Sequence, residues 1–188
     1  GERPDPMPHY EMTGNPVSIA FSEQSPPVKM RSFKLYQDTK EIRDVKILDK
    51  DNDPNRLLSE RQFALFPLQP LEYDTDYRAV FEYRQNGKDR TAEWTFSTQK
   101  PDYPYFIVKG GETLAIESGQ KYFIHWQDFW CLKQCERYNY RINRDTQIDI
   151  IERQAGGIII RVNGSKGSSI RLMPEGEDRR AITLYLWK

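Results

Sequence analysis

Apolar and polar residues alternate with a period of two along most of the chain. Val17, Ile19 and Phe21 alternate with Ser18 and Ala20; Phe33 and Leu35 with Lys34 and Tyr36; Val45 and Ile47 with Lys46 and Leu48. Such alternation puts one face of an extended strand in a core and the other toward water. Phe63, Leu65 and Pro67 lead to a corner at Gln69-Pro70. The clearest local signal is a hairpin. Tyr77, Ala79, Phe81 and Tyr83 alternate with polar neighbours, Asn86-Gly87 follows, and Ala92, Trp94 and Phe96 alternate on the return. Asn-Gly supplies the two positive φ angles that a tight hairpin turn requires.

A proline-bearing joint, Lys100-Pro101-Asp102-Tyr103-Pro104, then interrupts the pattern. Proline stiffens a short linker. A second strand series follows: Phe106–Val108, Leu114–Ile116, Tyr122–Trp126, Tyr138–Ile142, Ile148–Ile150, Ile158–Val162, Ile170–Leu172 and Ile182–Leu186. In the last of these, Ile182, Leu184 and Leu186 alternate with Thr183, Tyr185 and Trp187. No helix-period stripe of useful length is present outside the stretch from Phe129 to Tyr138. The fold class expected is all-β: a sandwich over residues 17–100, and a second small, sandwich-like all-β domain over residues 101–188. Residues 1–16, with four prolines and Gly14, read as a linker or lead-in. Gly1 resembles a residue left by trimming, so a native segment is expected upstream.

Residues 17–98 resemble the bacterial immunoglobulin-like domains of secreted and surface-layer proteins. The resemblance is carried by Val17-Ser18-Ile19-Ala20-Phe21-Ser22, Ser32-Phe33-Lys34-Leu35, Phe63-Ala64-Leu65, Leu71 to Tyr77, and Trp94-Thr95-Phe96-Ser97-Thr98. The spacing of Leu71, Thr75 and Tyr77 resembles a tyrosine corner, which implies a Tyr77 hydroxyl bonded to the backbone upstream. Tyr73 and Asp74 stand where that corner usually has proline or glycine. The whole chain also resembles the region that follows a CAP (cysteine-rich secretory, pathogenesis-related-1-like) domain in some bacterial exported proteins. The CAP domain's own His and Glu motifs are absent, so that family's site residues have no counterpart here.

Composition narrows the function classes. Twenty-eight basic residues balance 28 acidic ones, for a formal net charge of zero. A nucleic-acid binder ordinarily carries a basic excess to meet phosphates, so no nucleic-acid partner is expected. No run of about 18 apolar residues occurs, so no helical membrane span is expected. Aromatics make up 13% of the chain, enough to build cores for small β domains. Cys131 and Cys135 are separated by three residues. An extracytoplasmic chain would pair them across a short loop, whereas a cytosolic chain would keep two thiols; the disulfide is the expectation.

Candidate chemistry is sparse. Asp49, Asp51, Asp53 and Glu60 occupy the first, third, fifth and twelfth places of an EF-hand-like loop, a carboxylate set that suits calcium. Pro54 occupies the place where the sharp turn needs glycine, so a solvated acidic loop is the favoured reading. His125, Cys131 and Cys135 give three soft ligands where a structural zinc site needs four. The same residues lack a complete triad, and apolar alternation already accounts for His125. No catalytic residue, metal or cofactor is therefore expected. Tyr122, Phe123, Trp126, Phe129 and Trp130 are the densest aromatic cluster, next to Gln127 and Asp128. Ordinary core packing explains most such clusters. Trp126, Phe129 and Trp130 are nevertheless the ligand-binding candidates, because rigid rings bind at low entropic cost.

These observations point to a non-enzymatic, extracytoplasmic β-sandwich module for adhesion, spacing or contact with a protein or glycan at the cell surface. The alternative is a carbohydrate-binding module built on the aromatic cluster of the second domain. A large exposed aromatic strip favours carbohydrate, and a deep pocket with convergent carboxylates favours an enzyme.

Overall fold

The structure, a computed structural model, describes residues 15–127, 129, 137–143, 145–154 and 156–188. The chain divides into two compact units between Lys100 and Pro101. Among the described residues every regular element but one 3-10 turn is a strand. Among the described residues no helix is long and apolar enough to cross a membrane.

The first unit holds β1 (Val17–Ala20), β2 (Lys29–Gln37), β3 (Lys40–Ile42), β4 (Val45–Leu48), β5 (Gln62–Pro67), β6 (Asp76–Gln85) and β7 (Lys88–Ser97). They form a three-stranded sheet, β1-β5-β4, and a four-stranded sheet, β3-β2-β6-β7, with antiparallel ladders throughout. This is the strand order of an immunoglobulin-like sandwich. The expected hairpin is β6–β7, and Asn86 and Gly87 take φ of 52° and 75° at its turn. The short edge strand β3 has no separate signal in the sequence. It follows a tight turn in which Asp38 takes a φ of 51°.

Alternation fills the core as expected. Phe33, Leu35, Phe63, Leu65, Tyr77, Ala79 and Phe81 are buried, and Phe81 contacts Phe33 edge-on at 5.2 Å and Phe63 at 4.9 Å. Trp94 shares the inward face but lies on edge strand β7. It is half-buried, with its ring 5.8 Å from Phe33.

The chain crosses between sheets from β5 to β6, and there Glu72 N–H donates to the Tyr77 hydroxyl at 3.0 Å. This is the geometry the tyrosine corner implied. Asp74 takes the left-handed φ of 46° that a glycine would otherwise supply at this corner, a conformation Asp tolerates better than most side chains. The Thr98 hydroxyl donates to Glu72 O and accepts from Thr75 N–H, tying the corner to the end of β7.

The second unit holds β8 (Tyr105–Val108), β9 (Thr113–Ile116), β10 (Lys121–Trp126), β11 (Tyr138–Asn143), β12 (Thr146–Gln154), β13 (Gly157–Gly164), β14 (Ser169–Pro174) and β15 (Ile182–Leu186). All eight expected strands are present. The sheets are β12-β13-β10-β8 and β11-β14-β15-β9. Strands β8 to β12 alternate between them, so β8 pairs parallel with β10, and β9 parallel with β15. Among the described residues, hairpins join β12 to β13 and β14 to β15. The core comprises Ile116, Ile124, Trp126, Ile158, Ile160, Ile170, Leu172, Ile182, Leu184 and Leu186, all nearly or wholly without exposure.

At the β9–β10 crossing, Glu117 N–H donates to the Tyr122 hydroxyl at 3.0 Å. The donor again lies five residues before the tyrosine. The β8–β9 crossing depends on Gly110. Its φ is 134°, and a Cβ there would lie 2.2 Å from Arg179 O, so any side chain would force the turn away from the 3-10 segment Asp178–Arg180.

Three expectations follow. Tyr77→Phe leaves the buried Glu72 N–H without this acceptor and lowers stability by about 1–2 kcal/mol, read as a reduced denaturant midpoint; an unchanged midpoint contradicts the latch. Phe81→Ala costs about 3–5 kcal/mol, whereas half-buried Trp94→Ala costs about 2 kcal/mol, the order being checked in the same titration. Limited proteolysis cuts first between residues 98 and 104 and leaves two pieces with separate unfolding transitions; a single shared transition contradicts separable units.

Candidate binding surface

Strand β10 is buried on both faces. Trp126 lies in the core with no exposure, its centroid 5.6 Å from that of Tyr138. Its indole Nε1–H donates to Arg180 O at 2.8 Å. The Arg180 guanidinium lies 4.8 Å from the Phe129 ring centroid, and its Nη1 donates to Gln127 O at 2.9 Å. Trp126 is therefore a core residue and not a binding ring. Its apolar body fills the sandwich, and a backbone carbonyl takes its polar edge. Phe129 is half-buried, packed on the core and against Arg180. Trp130, Asp128 and the expected Cys131–Cys135 disulfide lie outside the described residues. Arg180, which ties this cluster to the 3-10 turn, carries no signal in the sequence because the two segments are far apart along the chain.

His125 is also fully buried. Its Nδ1 lies 2.9 Å from Gly156 O, and its ring stacks on Phe123 at 6.2 Å. Beside it, Gly157 lets β13 approach β10: a Cβ there would meet Ile124 O at 2.0 Å. Burial pushes the Tyr138 hydroxyl up to about 12, so it stays neutral at ordinary pH.

In the first unit, the acidic loop turns its carboxylates onto its own backbone. Asp49 accepts from Asp51 N–H and Asn52 N–H at 3.0 and 3.2 Å. Asp53 accepts from Asn55, Leu57 and Leu58 N–H at 3.0, 2.7 and 3.0 Å. Burial raises the Asp53 carboxyl, and the three donors together outweigh it, leaving it below the usual carboxylate range. Glu60 pairs with Lys50, whose hydrogen bond and charge hold its carboxyl down as well. Among the described residues no group of three or more His, Cys, Asp or Glu is arranged to hold a metal ion. The arrangement is that of a self-capped loop.

The outer face of β11-β14-β15-β9 presents a different array. Ile182, Leu184 and Leu186 point into the core, so Thr183 and Tyr185 point out, and Trp187, just past the end of β15 and bonded through its N–H to Ile116 O, is exposed as well. Tyr185 is 39% exposed and Trp187 44%. Small residues flank them: Ser169 on β14 and Ala115 on β9 stand opposite Tyr185, and the Gly167 N–H bonds Leu186 O beside Trp187. Tyr185 therefore has only small residues directly opposite it, whereas Trp187 has the Lys188 ammonium 5.4 Å from its ring centroid, and that ammonium pairs with Glu117 at 3.6 Å. On the next strands, Arg141 stands directly opposite Arg171, and Arg171 opposite Thr183. A surface recess of about 430 Å³ opens here, lined by Asn139, Tyr140, Arg141, Arg171, Met173 and Asp178. The alternation at residues 182–187 carried the signal for the two rings. The convergence of Arg141 with Arg171 depends on strand pairing, which alternation does not encode.

No family model matches the chain, and no curated protein does. Solved structures similar to it include a pair of tandem immunoglobulin domains of titin, at 12% identity over 92% of this chain and 87% of that one, with a TM-score of 0.29. Domains 4 and 5 of the S-layer protein SbsC are 13% identical over 85% of this chain and 100% of theirs, at a TM-score of 0.28. An endo-fucoidan hydrolase of glycoside hydrolase family 107 is 7% identical over 95% of this chain, at a TM-score of 0.33. The chain spans only 26% of that enzyme's length. At these TM-scores none of the three carries an argument about function, and the all-β, immunoglobulin-like description rests on the strand order.

Proposed function

We propose that the chain is a non-enzymatic, extracytoplasmic β-sandwich module that works by contact, holding a cell-surface partner on the outer face of β11-β14-β15-β9. The observation that carries this reading is the pair of exposed rings two residues apart, Tyr185 on β15 and Trp187 immediately after it. Single exposed apolar residues are ordinary on any surface. Two large rings side by side, beside a recess and above a fully buried floor, form a pre-organised contact area. The inward neighbours Leu184 and Leu186 have no exposure, so the strand that bears the rings is fixed by the core. A rigid platform binds without first paying to order itself.

The non-enzymatic part is supported by what the perturbed carboxylates do. Asp53 and Glu112 serve backbone N–H groups, and Glu60 serves Lys50, so each has a structural task. The extracytoplasmic part rests on the close spacing of Cys131 and Cys135. The carbohydrate alternative remains in play at a different place. The exposed strip lies at Tyr185 and Trp187, whereas Trp126 is buried.

Binding of the fluorescently labelled chain to isolated cell envelopes tests this. Saturable binding is expected, and the double variant Tyr185→Ala/Trp187→Ala should weaken it at least about tenfold, equivalent to about 1.4 kcal/mol, without changing the circular dichroism spectrum. Equal binding by the double variant would remove the outer face as the working surface.

A further inference from the structure

We propose that the outer face of β11-β14-β15-β9 binds an acidic glycan. Arg141 and Arg171 would hold its carboxylate or sulfate groups, and Tyr185 and Trp187 would carry its sugar rings. This rests on the contact reading above and names the ligand class for the same face.

The first observation is electrostatic. Arg141 and Arg171 are exposed and directly opposite each other on antiparallel strands. Opposed residues in such a pair have Cα atoms only about 5 Å apart, and like charges placed so are destabilising. Neither guanidinium has an ion pair or side-chain hydrogen bond among the described residues. A bound anion between them converts this repulsion into a two-sided clamp. Each guanidinium offers a planar fork of donors that matches a carboxylate or sulfate. Asp178 of the 3-10 turn lines the same recess and makes no ion pair with either arginine. The recess thus carries two positive charges against one negative.

The second observation is the aromatic column. Residues two apart on extended chain stand about 6.7 Å apart, so Tyr185 on β15 and Trp187 just past its end offer two successive exposed rings. Tyr185 lies diagonal to Arg171 across the β14–β15 ladder, since Arg171 faces Thr183 and Ser169 faces Tyr185. Arg141, Arg171, Tyr185 and Trp187 therefore mark an oblique track over three strands. Asn139 and Asn143 on β11, with Thr183 on β15 and Thr113 on β9, line the same face. These are donors and acceptors for hydroxyl groups. Flat apolar platforms, neutral hydrogen-bonding groups and a cationic clamp together match a polymer of acidic sugars. An acidic peptide would use the clamp but would have no need of paired ring platforms.

The test is affinity electrophoresis of the intact chain through gels containing alginate, dextran sulfate, neutral dextran or poly-L-glutamate. Retardation by alginate or dextran sulfate, and not by dextran, is expected. Which of the two retards identifies carboxylate or sulfate. Arg141→Ala and Arg171→Ala should each weaken retention about tenfold, with Arg171→Lys recovering part, because an ammonium keeps charge but loses the fork. Trp187→Ala should weaken it to a similar extent. Thermal midpoints of these exposed-site variants should stay near wild type, so lost retention is not lost folding. Indifference to both acidic glycans overturns the proposal. So does equal retardation by poly-L-glutamate that Trp187→Ala leaves intact, since that is charge alone. Retention by neutral dextran that needs Trp187 but not the arginines overturns the acidic-glycan assignment while leaving the contact reading standing.

Discussion

In each unit the chain crosses between sheets at a turn closed by a tyrosine hydroxyl that accepts a backbone N–H five residues earlier. Glu72 donates to Tyr77 before β6, and Glu117 donates to Tyr122 before β10. A sandwich built from short strands depends on such crossings, because the core closes only if the chain leaves one sheet and enters the other at the correct height. A crossing turn takes its backbone groups out of the ladders, and a buried N–H left unpaired is costly. Tyrosine solves both problems together. Its ring packs in the core and its hydroxyl reaches back to the turn, which fixes the strand's phase and satisfies the stray donor. The two units differ in topology, yet both use this arrangement.

Phase, once fixed, decides which side chains are core and which are surface. A one-residue slip would exchange the two sets. In β15, correct phase buries Ile182, Leu184 and Leu186 and exposes Tyr185, with Trp187 exposed just past the strand's end. In β6 and β7 it buries Tyr77, Ala79 and Phe81 and leaves Trp94 on the inward side of an edge strand. The same alternation thus builds the core and displays the rings.

Much of this was legible in the residues. Six strands of the first unit and all eight of the second announce themselves by alternation, and the Asn86-Gly87 turn and the Tyr77 corner carry specific signals. Strand β3 did not, because Lys40-Glu41-Ile42 is too short and polar for a period to be read. The pairing of the second unit was also hidden. Parallel neighbours such as β8 with β10 are joined through the opposite sheet, and no turn residue records that. One of the three candidate rings, Trp126, is a core residue for a related reason. Density of aromatics along the chain singled out Trp126, but Trp126 shares its phase with Tyr122 and Ile124, which face the core. Exposure depends on phase and on the strand's place in the sheet, not on density: β10 is central and buried on both faces, while Tyr185 and Trp187 lie on an uncovered face.

Aromatic residues on opposite faces of a sandwich serve opposite ends. Trp126 gains from burial about the full transfer energy of a large ring and meets its polar demand at Arg180 O. Tyr185 and Trp187 leave a large part of that gain unused, in a unit whose inward positions Ile170, Leu172, Leu184 and Leu186 are all filled. The core therefore holds the strand without help from the outer face. Residues there are free to answer to a different requirement, and the ones present are rings, guanidiniums, amides and hydroxyls. Sheet geometry then does for them what a pocket does elsewhere: it spaces the groups at fixed intervals over a floor that cannot yield. If this face binds as proposed, its repeat, that of the strand and the ladder, suits an extended, repetitive partner.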